Sequence, residues 1–245
     1  MYSDIMRISR LRMASDGTGV STLVAFWGCP LHCKYCINDQ CHDRGNEYPE
    51  VERAAYTPQE LVEILSKDDL YYKMTGGGIV FGGGEPLVQA AFVHEVCELA
   101  DPKWAKRIET SLYAHWKDFY FLTDDIDEWI IDIKDMNKEI YKAYTGRSNR
   151  CVVQNLKKLI ERVPPERIWI RVPHIPGFNE YEDVERSIKE LRKMGFVHTE
   201  EFGYEFSQFV KKPDNYRRLQ IPGYLMKKPE LERKADNEKS AIKIC

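Results

Sequence analysis

The chain of 245 residues lacks both a long apolar segment and an excess of either charge. No run approaches the roughly 18–20 consecutive apolar residues of a membrane-spanning helix. The residues from Met1 to Arg7 contain no apolar core of a signal peptide. The net charge of −3 does not indicate a nucleic-acid or membrane partner. We therefore expect a cytoplasmic, monomeric protein that binds neither nucleic acid nor membrane.

The sequence also lacks internal repeats and low-complexity blocks. Its length can bury a full core, either as one α/β barrel-like domain or as two small domains. Residues 211–245 differ from the rest because they carry ten Lys or Arg against five Asp or Glu. We expect one folded domain over 1–210 and a polar, basic tail over 211–245. The tail is either a solvated or disordered end, or a lid that docks a partner.

Short β-branched apolar runs alternate with amphipathic helical patterns, which is typical of a parallel sheet wrapped by helices. The predicted strands are 22–27, 78–81, 107–112, 129–133, 168–172 and 201–206, and the predicted helices are 58–67, 87–100, 137–145, 150–162 and 181–194. Six such units suit a partial, splayed TIM-like α/β barrel, a (βα)6 arrangement, rather than a closed eightfold one. Active residues in such folds lie at the C-terminal ends of the strands.

Seven cysteines, an odd number with a cluster near the N-terminus, indicate metal binding or catalysis rather than a disulfide framework. Cys29, Cys33 and Cys36 have the spacing C-x3-C-x2-C and directly follow the first predicted strand. Three thiolates on one loop can hold three irons of a [4Fe–4S] cluster and leave the fourth iron open for a small molecule. Cys41 could complete a structural zinc site instead, although zinc sites usually use two separated cysteine pairs. We favour the open cluster.

A glycine-rich turn, Gly82-Gly83-Gly84-Glu85-Pro86, follows the second predicted strand. Glycines at a strand exit let a ligand approach the backbone closely, and the carboxylate can accept hydrogen bonds from an ammonium group. On its own such a turn is more often structural. Its position one strand after the cysteine loop favours a role in binding.

Polar residues also follow the next three predicted strands. They are Glu109, Thr110 and Ser111 at the third strand, Asp132 and Lys134 at the fourth, and Arg171 at the fifth. For Asp132 and Lys134, a simple salt bridge at a strand end is the alternative interpretation.

Taken in order, these motifs resemble the radical S-adenosylmethionine (SAM) superfamily, and within it the activating enzymes of glycyl radical enzymes such as pyruvate formate-lyase. The resemblance extends to about residue 210. The matching segments are Asp16-Gly17-Thr18-Gly19-Val20, the C-x3-C-x2-C loop, residues 76–87, Glu109-Thr110-Ser111, residues 132–136, residues 145–149 and residues 171–177. The family's second, ferredoxin-like cysteine insert is absent, which excludes the long activating enzymes.

The resemblance implies cofactors and a role for each matched residue. Cys29, Cys33 and Cys36 would bind the [4Fe–4S] cluster, whose open iron would chelate the amino and carboxylate groups of SAM. The SAM-binding residues that it implies are Tyr35 beside the adenine, Gly83, Gly84 and Glu85 at the amine, Lys134 at the carboxylate, and Arg171 at SAM or the substrate backbone. Glu109, Thr110 and Asp132 match positions that bind a monovalent cation. Asp16 belongs to the segment that would receive the substrate, and we expect it to be catalytic.

The implied reaction begins when a flavodoxin or ferredoxin-type reductant delivers one electron to the cluster. SAM is then cleaved, and the 5′-deoxyadenosyl radical removes a hydrogen atom from a glycine of a partner glycyl radical enzyme. A second hypothesis is that the same radical directly modifies a peptide or a small molecule. A third is a zinc or iron–sulfur interaction protein without turnover.

Several positions depart from the family pattern. Thr18 replaces a proline, Ser21 an arginine, and Ile37 and Tyr141 replace histidines. The last predicted strand has no L-P-Y-H motif, and Tyr204-Glu205-Phe206 stands near its place. In the family these positions lie near the substrate or the SAM ribose. The departures therefore favour the second hypothesis, while the residues for SAM cleavage are present.

Overall fold

One eight-stranded sheet runs through the computed structural model, which describes residues 1–13, 16–42 and 54–203. The strands are β1 (Ser3–Met13), β2 (Val20–Phe26), β3 (Ala54–Tyr56), β4 (Gly78–Gly83), β5 (Ala105–Thr110), β6 (Glu128–Asp132), β7 (Ile168–His174) and β8 (His198–Gly203). Their order in the sheet is β3-β1-β2-β4-β5-β6-β7-β8. From β2 onward each neighbouring pair is parallel, whereas β1 runs antiparallel to both β2 and β3.

Helices separate each parallel strand from the next parallel strand along the chain. They are α1 (Pro58–Leu65), α2 (Asp69–Thr75), α3 (Ala90–Leu99), α4 (Trp116–Phe119), α5 (Leu122–Asp125), α6 (Lys138–Thr145), α7 (Arg150–Arg162) and α8 (Tyr181–Lys193). The six parallel strands and their helices confirm the predicted partial barrel. Among the helices that the structure describes, none has the length and apolar character to cross a membrane.

Local signals explain where the helices begin and end. Thr57 caps α1, because its hydroxyl accepts a hydrogen bond from the Glu60 N–H while the Glu60 carboxylate accepts one from the Thr57 N–H. Gly195 has a φ of +104° just after α8, a conformation that glycine adopts without strain. Both signals were predicted from the sequence.

The outer part of the sheet was not predicted. β1 shifts its register against β2 twice, between Ile5 and Arg7 and between Ser9 and Arg12. These irregularities break the alternation of apolar and polar residues by which a strand is recognised. β3 has three residues, and α2, α4 and α5 have seven or fewer, so their patterns are too short to identify. The last strand begins at His198, earlier than predicted.

The core lies between the parallel strands and the helices. Phe26, Phe81 and Phe92 are fully buried, and the Phe26 ring on β2 packs against Phe81 on β4 and Phe92 on α3. Burying a side chain of this kind contributes roughly 1.5–3 kcal/mol to stability. The packed layer fixes the strands, so the residues that follow their C-terminal ends are held at one edge of the sheet. The predicted tail, 211–245, and Tyr204–Phe206 lie outside the described residues.

Candidate active site

The cysteine loop, residues 28–36, is joined by backbone hydrogen bonds to the glycine-rich turn after β4. The N–H of Gly84 donates to the carbonyl of Phe26 over 2.9 Å, and the N–H of Glu85 donates to the carbonyl of Gly28 over 2.8 Å. A Cβ on Gly84 would lie 2.2 Å from the Gly28 oxygen, so the close approach requires glycine. The two motifs therefore form one structural unit.

The C-terminal end of α6 holds the other side of the cysteine loop. The N–H groups of His32 and Lys34, on either side of Cys33, donate to the carbonyls of Thr145 and Tyr144 over 3.0 and 3.1 Å. The last carbonyls of a helix have no partner within the helix, so the loop satisfies them. Through these contacts the segment that begins at Thr145, one of the matched motifs, lies directly against the cysteine loop.

The three cysteines of the loop are free, half-buried thiols. Hydrogen bonding from Cys41 and His42 lowers the pKa of Cys36, which favours the thiolate form of its sulfur. Burial raises the pKa of Cys29 and raises that of Cys33 to about 11. Iron binding would stabilise the thiolate form of both groups. Three sulfurs on one loop fit a [4Fe–4S] cluster that keeps one iron open.

Cys41 and the two neighbouring histidines were not predicted to assist the loop. Cys41 is buried in an apolar cluster with Met6, Ala25 and Trp27, and Cys29 packs against that cluster. The rings of His32 and His42 stack with their centroids 4.9 Å apart. The spacing of Cys41 suggested a fourth zinc ligand, whereas in the structure its side chain is hydrogen-bonded to that of Cys36.

Glu85 links the glycine-rich turn to the end of β5. Its buried carboxylate accepts hydrogen bonds from the hydroxyl of Thr110, from the N–H and hydroxyl of Ser111, and from the N–H of Leu87. These four bonds use both oxygens, and burial raises the pKa of Glu85. The structure thus gives Glu85 a local role that the sequence did not predict. The expected contact with an ammonium group stays a prediction.

Four charged side chains form a network at the ends of β5, β6 and β7. Arg171 lies between two carboxylates, with its Nη2 3.2 Å from Glu109 and its Nε 2.8 Å from Asp132. The Lys134 ammonium is 3.2 Å from Asp132. Burial opposes the ionisation of Asp132, but Lys134 and Arg171 outweigh it and keep the pKa of Asp132 below its ordinary value. Burial raises the pKa of Glu109.

The network brings together four residues that the sequence predicted at the ends of three different strands. The salt bridge suggested for Asp132 and Lys134 is present, and it does not exclude ligand binding because all four side chains keep some exposure. The two carboxylates and the two cationic side chains compensate one another's charge. A carboxylate that enters the site would be attracted by Lys134 and Arg171, and a cation would be attracted by Glu109 and Asp132.

Tyr35 belongs to a cluster of three aromatic rings beside Cys33. Its ring meets those of Tyr144 and Phe178 edge-on, at centroid distances of 6.0 and 5.6 Å. Cys33 packs against this cluster, which also contains Ile175. The predicted place of Tyr35 beside the adenine stays a prediction, whereas Tyr144 and Phe178 carry no local signal and reach Tyr35 through the fold.

Asp16 does not lie with the cysteines. It precedes β2, whereas the cysteine loop follows the other end of that strand. Its buried carboxylate is paired with the guanidinium of Arg12, whose Nη2 is 2.7 Å away, and accepts a hydrogen bond from Ser21. The charges of Asp16 and Arg12 still act on Glu109. The catalytic role expected for Asp16 stays a prediction, and Arg12 was missed.

The positions that depart from the family pattern have different surroundings. Ser21 is buried against Asp16, while Ile37 is 47% exposed. Tyr141 is 1% exposed, and its hydroxyl has no hydrogen-bond partner among the described residues.

A family model described as the Radical SAM superfamily matches residues 24–191, the part of the chain that contains the cysteine loop and the four-residue network. An isethionate sulfite-lyase activating enzyme of Oleidesulfovibrio alaskensis is 26% identical over 232 residues, covering 72% of this chain and 75% of that enzyme. A (2S)-3-sulfopropanediol dehydratase activating enzyme of Klebsiella oxytoca is 37% identical over 222 residues, covering 67% and 69%.

The solved structure of Streptococcus suis SuiB has a similar fold. The superposition has a TM-score of 0.55 at 15% identity, and it covers 76% of this chain and 40% of SuiB. At this identity the likeness concerns the fold alone.

Proposed function

This chain belongs to the radical SAM superfamily, among the activating enzymes of glycyl radical enzymes, and from that premise we propose that it removes one hydrogen atom from a glycine of a partner enzyme. The observation that carries the proposal is the fixed cysteine loop. It is held on one side by the Gly84–Glu85 turn and on the other by the end of α6, beside the network of Glu109, Asp132, Lys134 and Arg171.

Cys29, Cys33 and Cys36 would hold the cluster, and the residues around them would orient SAM. When bound, the cluster and SAM supply the one-electron cleavage that yields methionine and the 5′-deoxyadenosyl radical. Lys134 would attract the SAM carboxylate as a point charge, and Arg171 would hold a planar group through its fork of donors. Tyr35, with two further rings beside it, would pack against the adenine and exclude water from it.

Gly83 and Gly84 would present backbone groups to the SAM amine. The carboxylate of Glu85 is already held by four protein donors, so its contribution there would be to keep this backbone in place. The SAM ammonium group could also donate a hydrogen bond to the Glu85 carboxylate by displacing one of the hydroxyl donors. Both arrangements depend on the short distance between the turn and the cysteine loop.

A monovalent cation beside the SAM carboxylate is part of the proposal. Glu109 and Asp132 offer carboxylate oxygens, which suit such an ion, and Thr110 lies at the same strand end. Arg171 now joins the two carboxylates, so a cation would share them with the guanidinium. We expect SAM affinity to be higher in potassium chloride than in choline chloride at equal ionic strength.

The remaining parts of the proposal concern partners. A flavodoxin or ferredoxin-type protein would supply the electron, and the reaction would take place in the cytoplasm with a monomeric enzyme. Asp16 and its segment would receive the glycine loop of the partner. The charges of Asp16 and Arg12 act on Glu109, a member of the network at the strand ends, which supports this role.

Anaerobic reconstitution with iron and sulfide tests the proposal. The reconstituted protein should convert SAM to methionine and 5′-deoxyadenosine in the presence of dithionite. Incubated with a glycyl radical enzyme from its gene neighbourhood, should one be encoded there, it should leave a glycyl radical that electron paramagnetic resonance (EPR) detects. SAM cleavage without a glycyl radical on any neighbouring candidate would sink the proposed target.

A second candidate function is direct modification of a peptide or a small molecule. Ser21 and Tyr141 favour it, because both are buried where the family has basic side chains, and so they change the polarity of the interior. Mass spectrometry separates the two functions. Deuterium transferred from a labelled small substrate or peptide into 5′-deoxyadenosine would support direct modification.

A further inference from the structure

Helix α6 places Tyr141 next to the cysteine loop. The carbonyls of Tyr144 and Thr145 accept hydrogen bonds from the residues on both sides of Cys33. Tyr141 lies one turn earlier on the same helix, and its side chain is buried. The loop and the helix are thus fixed relative to each other at the position of Cys33.

The Tyr141 hydroxyl is a buried donor without an acceptor. It has no hydrogen-bond partner among the described residues. Buried polar groups are nearly always hydrogen-bonded, so an exception calls for an explanation. The groups that act on it electrostatically include Cys33, Glu85 and Cys29. Burial, followed by the negative charge of Cys33, raises the pKa of Tyr141, so the hydroxyl keeps its proton.

Of these neighbours, Glu85 is an unsuitable acceptor. A carboxylate has about four lone-pair positions, and protein donors already occupy four on Glu85. Besides Tyr113, the sulfurs of Cys33 and Cys29 remain. Cys33 stands between the two residues whose N–H groups donate to the end of α6, so it is the cysteine that this helix holds directly.

We propose that the Tyr141 hydroxyl donates a hydrogen bond to the sulfur of Cys33 in the assembled iron–sulfur cluster. The inference rests on the proposed function, because it requires a cluster on the three cysteines. Hydrogen bonds to cluster sulfurs are one of the factors that set the reduction potential. The bond stabilises the additional negative charge of the reduced cluster, so it makes the one-electron reduction easier. Tyr141 therefore makes the reduction potential of the cluster less negative.

The test is a reductive titration, monitored by EPR and visible absorption, of the reconstituted full-length protein without SAM. Tyr141→Phe keeps the ring and removes only the hydroxyl. Tyr72→Phe is the matched control, because the buried Tyr72 hydroxyl donates to Thr22, near the beginning of β2 and away from the loop. We expect Tyr141→Phe to load as much iron and sulfide as the wild type and to be reduced at a more negative potential, and Tyr72→Phe to keep the wild-type potential.

Thermal unfolding of the cluster-free proteins separates this role from a structural one. Removing an unpartnered hydroxyl costs no hydrogen bond, so Tyr141→Phe should unfold at the wild-type temperature or above it, whereas Tyr72→Phe should unfold at a lower one. An unchanged reduction potential overturns the inference. So does a loss of SAM affinity at unchanged potential, since the acceptor would then be SAM. If the wild type assembles no cluster, the proposed function fails instead, before the variants are compared.

Discussion

The N–H of Glu85 donates a hydrogen bond of 2.8 Å to the carbonyl oxygen of Gly28. This bond joins the glycine-rich turn after β4 to the loop that carries the three cysteines. Anything that moves the turn therefore moves the loop. The consequence is that substitutions far from the sulfurs in sequence can still change how the cluster binds.

Gly84→Ala tests this connection. A Cβ at this position would lie 2.2 Å from the Gly28 oxygen, so the turn must move away and the bond to Glu85 must lengthen. Such overpacking costs roughly 1–3 kcal/mol. We expect a lower free energy of unfolding in urea and a reduced iron content after reconstitution. Gly203→Ala, whose Cβ would meet no atom of the described residues within 4 Å, serves as the control. Wild-type iron content in Gly84→Ala would contradict the prediction.

Cys41 and Cys33 should respond differently to substitution. Cys33→Ala removes one of three cluster ligands, and we expect it to abolish cluster assembly and SAM cleavage. Cys41→Ser keeps a hydrogen-bond donor beside Cys36, so iron and sulfide content should stay near that of the wild type. Metal analysis and visible spectra measure both. If the two variants lose metal equally, Cys41 is a ligand and the four-thiolate zinc alternative gains support.

The positions of the functional groups could be predicted from the sequence only where strand ends carry them. The six parallel strands were recognisable because apolar runs such as Ile79–Phe81 lead directly into polar motifs. The bonding of Glu85 was not recognisable, since Thr110 and Ser111 lie more than 20 residues away along the chain. Asp16 was grouped with the site by motif alone, whereas the structure puts it before β2. Motif order does not specify the distance between motifs.

The Arg10–Asp68 pair should make folding stability depend on pH. Arg10 holds Asp68 through bonds of 2.7 and 2.8 Å, and hydrogen bonding from Arg10 lowers the pKa of Asp68 in the folded state. In the unfolded chain this pKa is about 3.9. The unfolded state thus binds the proton more tightly, so the pair stabilises the protein above about pH 4 and this contribution is lost as the pH falls through the folded pKa.

Urea unfolding of the cluster-free protein between pH 7 and pH 3 measures this contribution. The wild type should be more stable than Asp68→Asn at pH 7, and the difference should shrink at acidic pH. Asp124→Asn, at an exposed position in α5, should show no comparable change. A difference that stays constant over this range would mean that the charge of Asp68 does not contribute.

Asp132 should matter for SAM binding rather than for the cluster. Its carboxylate holds both Arg171 and Lys134, so Asp132→Asn would weaken two charged contacts that fix these bases. A hydrogen bond to a charged group is worth about 1.5–3 kcal/mol, which corresponds to a roughly 10- to 150-fold loss of SAM affinity. The hydrogen bonds of Asp132 within the described residues go to Lys134 and Arg171 and not to a cysteine. The visible spectrum of the cluster should therefore be unchanged.

Equilibrium binding of SAM to the oxidised, reconstituted protein measures the effect without turnover. Glu139→Gln, an exposed carboxylate on α6, is the control and should keep wild-type affinity. If Asp132→Asn binds SAM as tightly as the wild type, then Asp132 is a structural partner of Arg171 and Lys134 and does not help to form the SAM site. A loss of SAM affinity with an intact cluster would show that the network helps to hold SAM. The residues at the strand ends would then bind SAM, while the cysteine loop binds the iron.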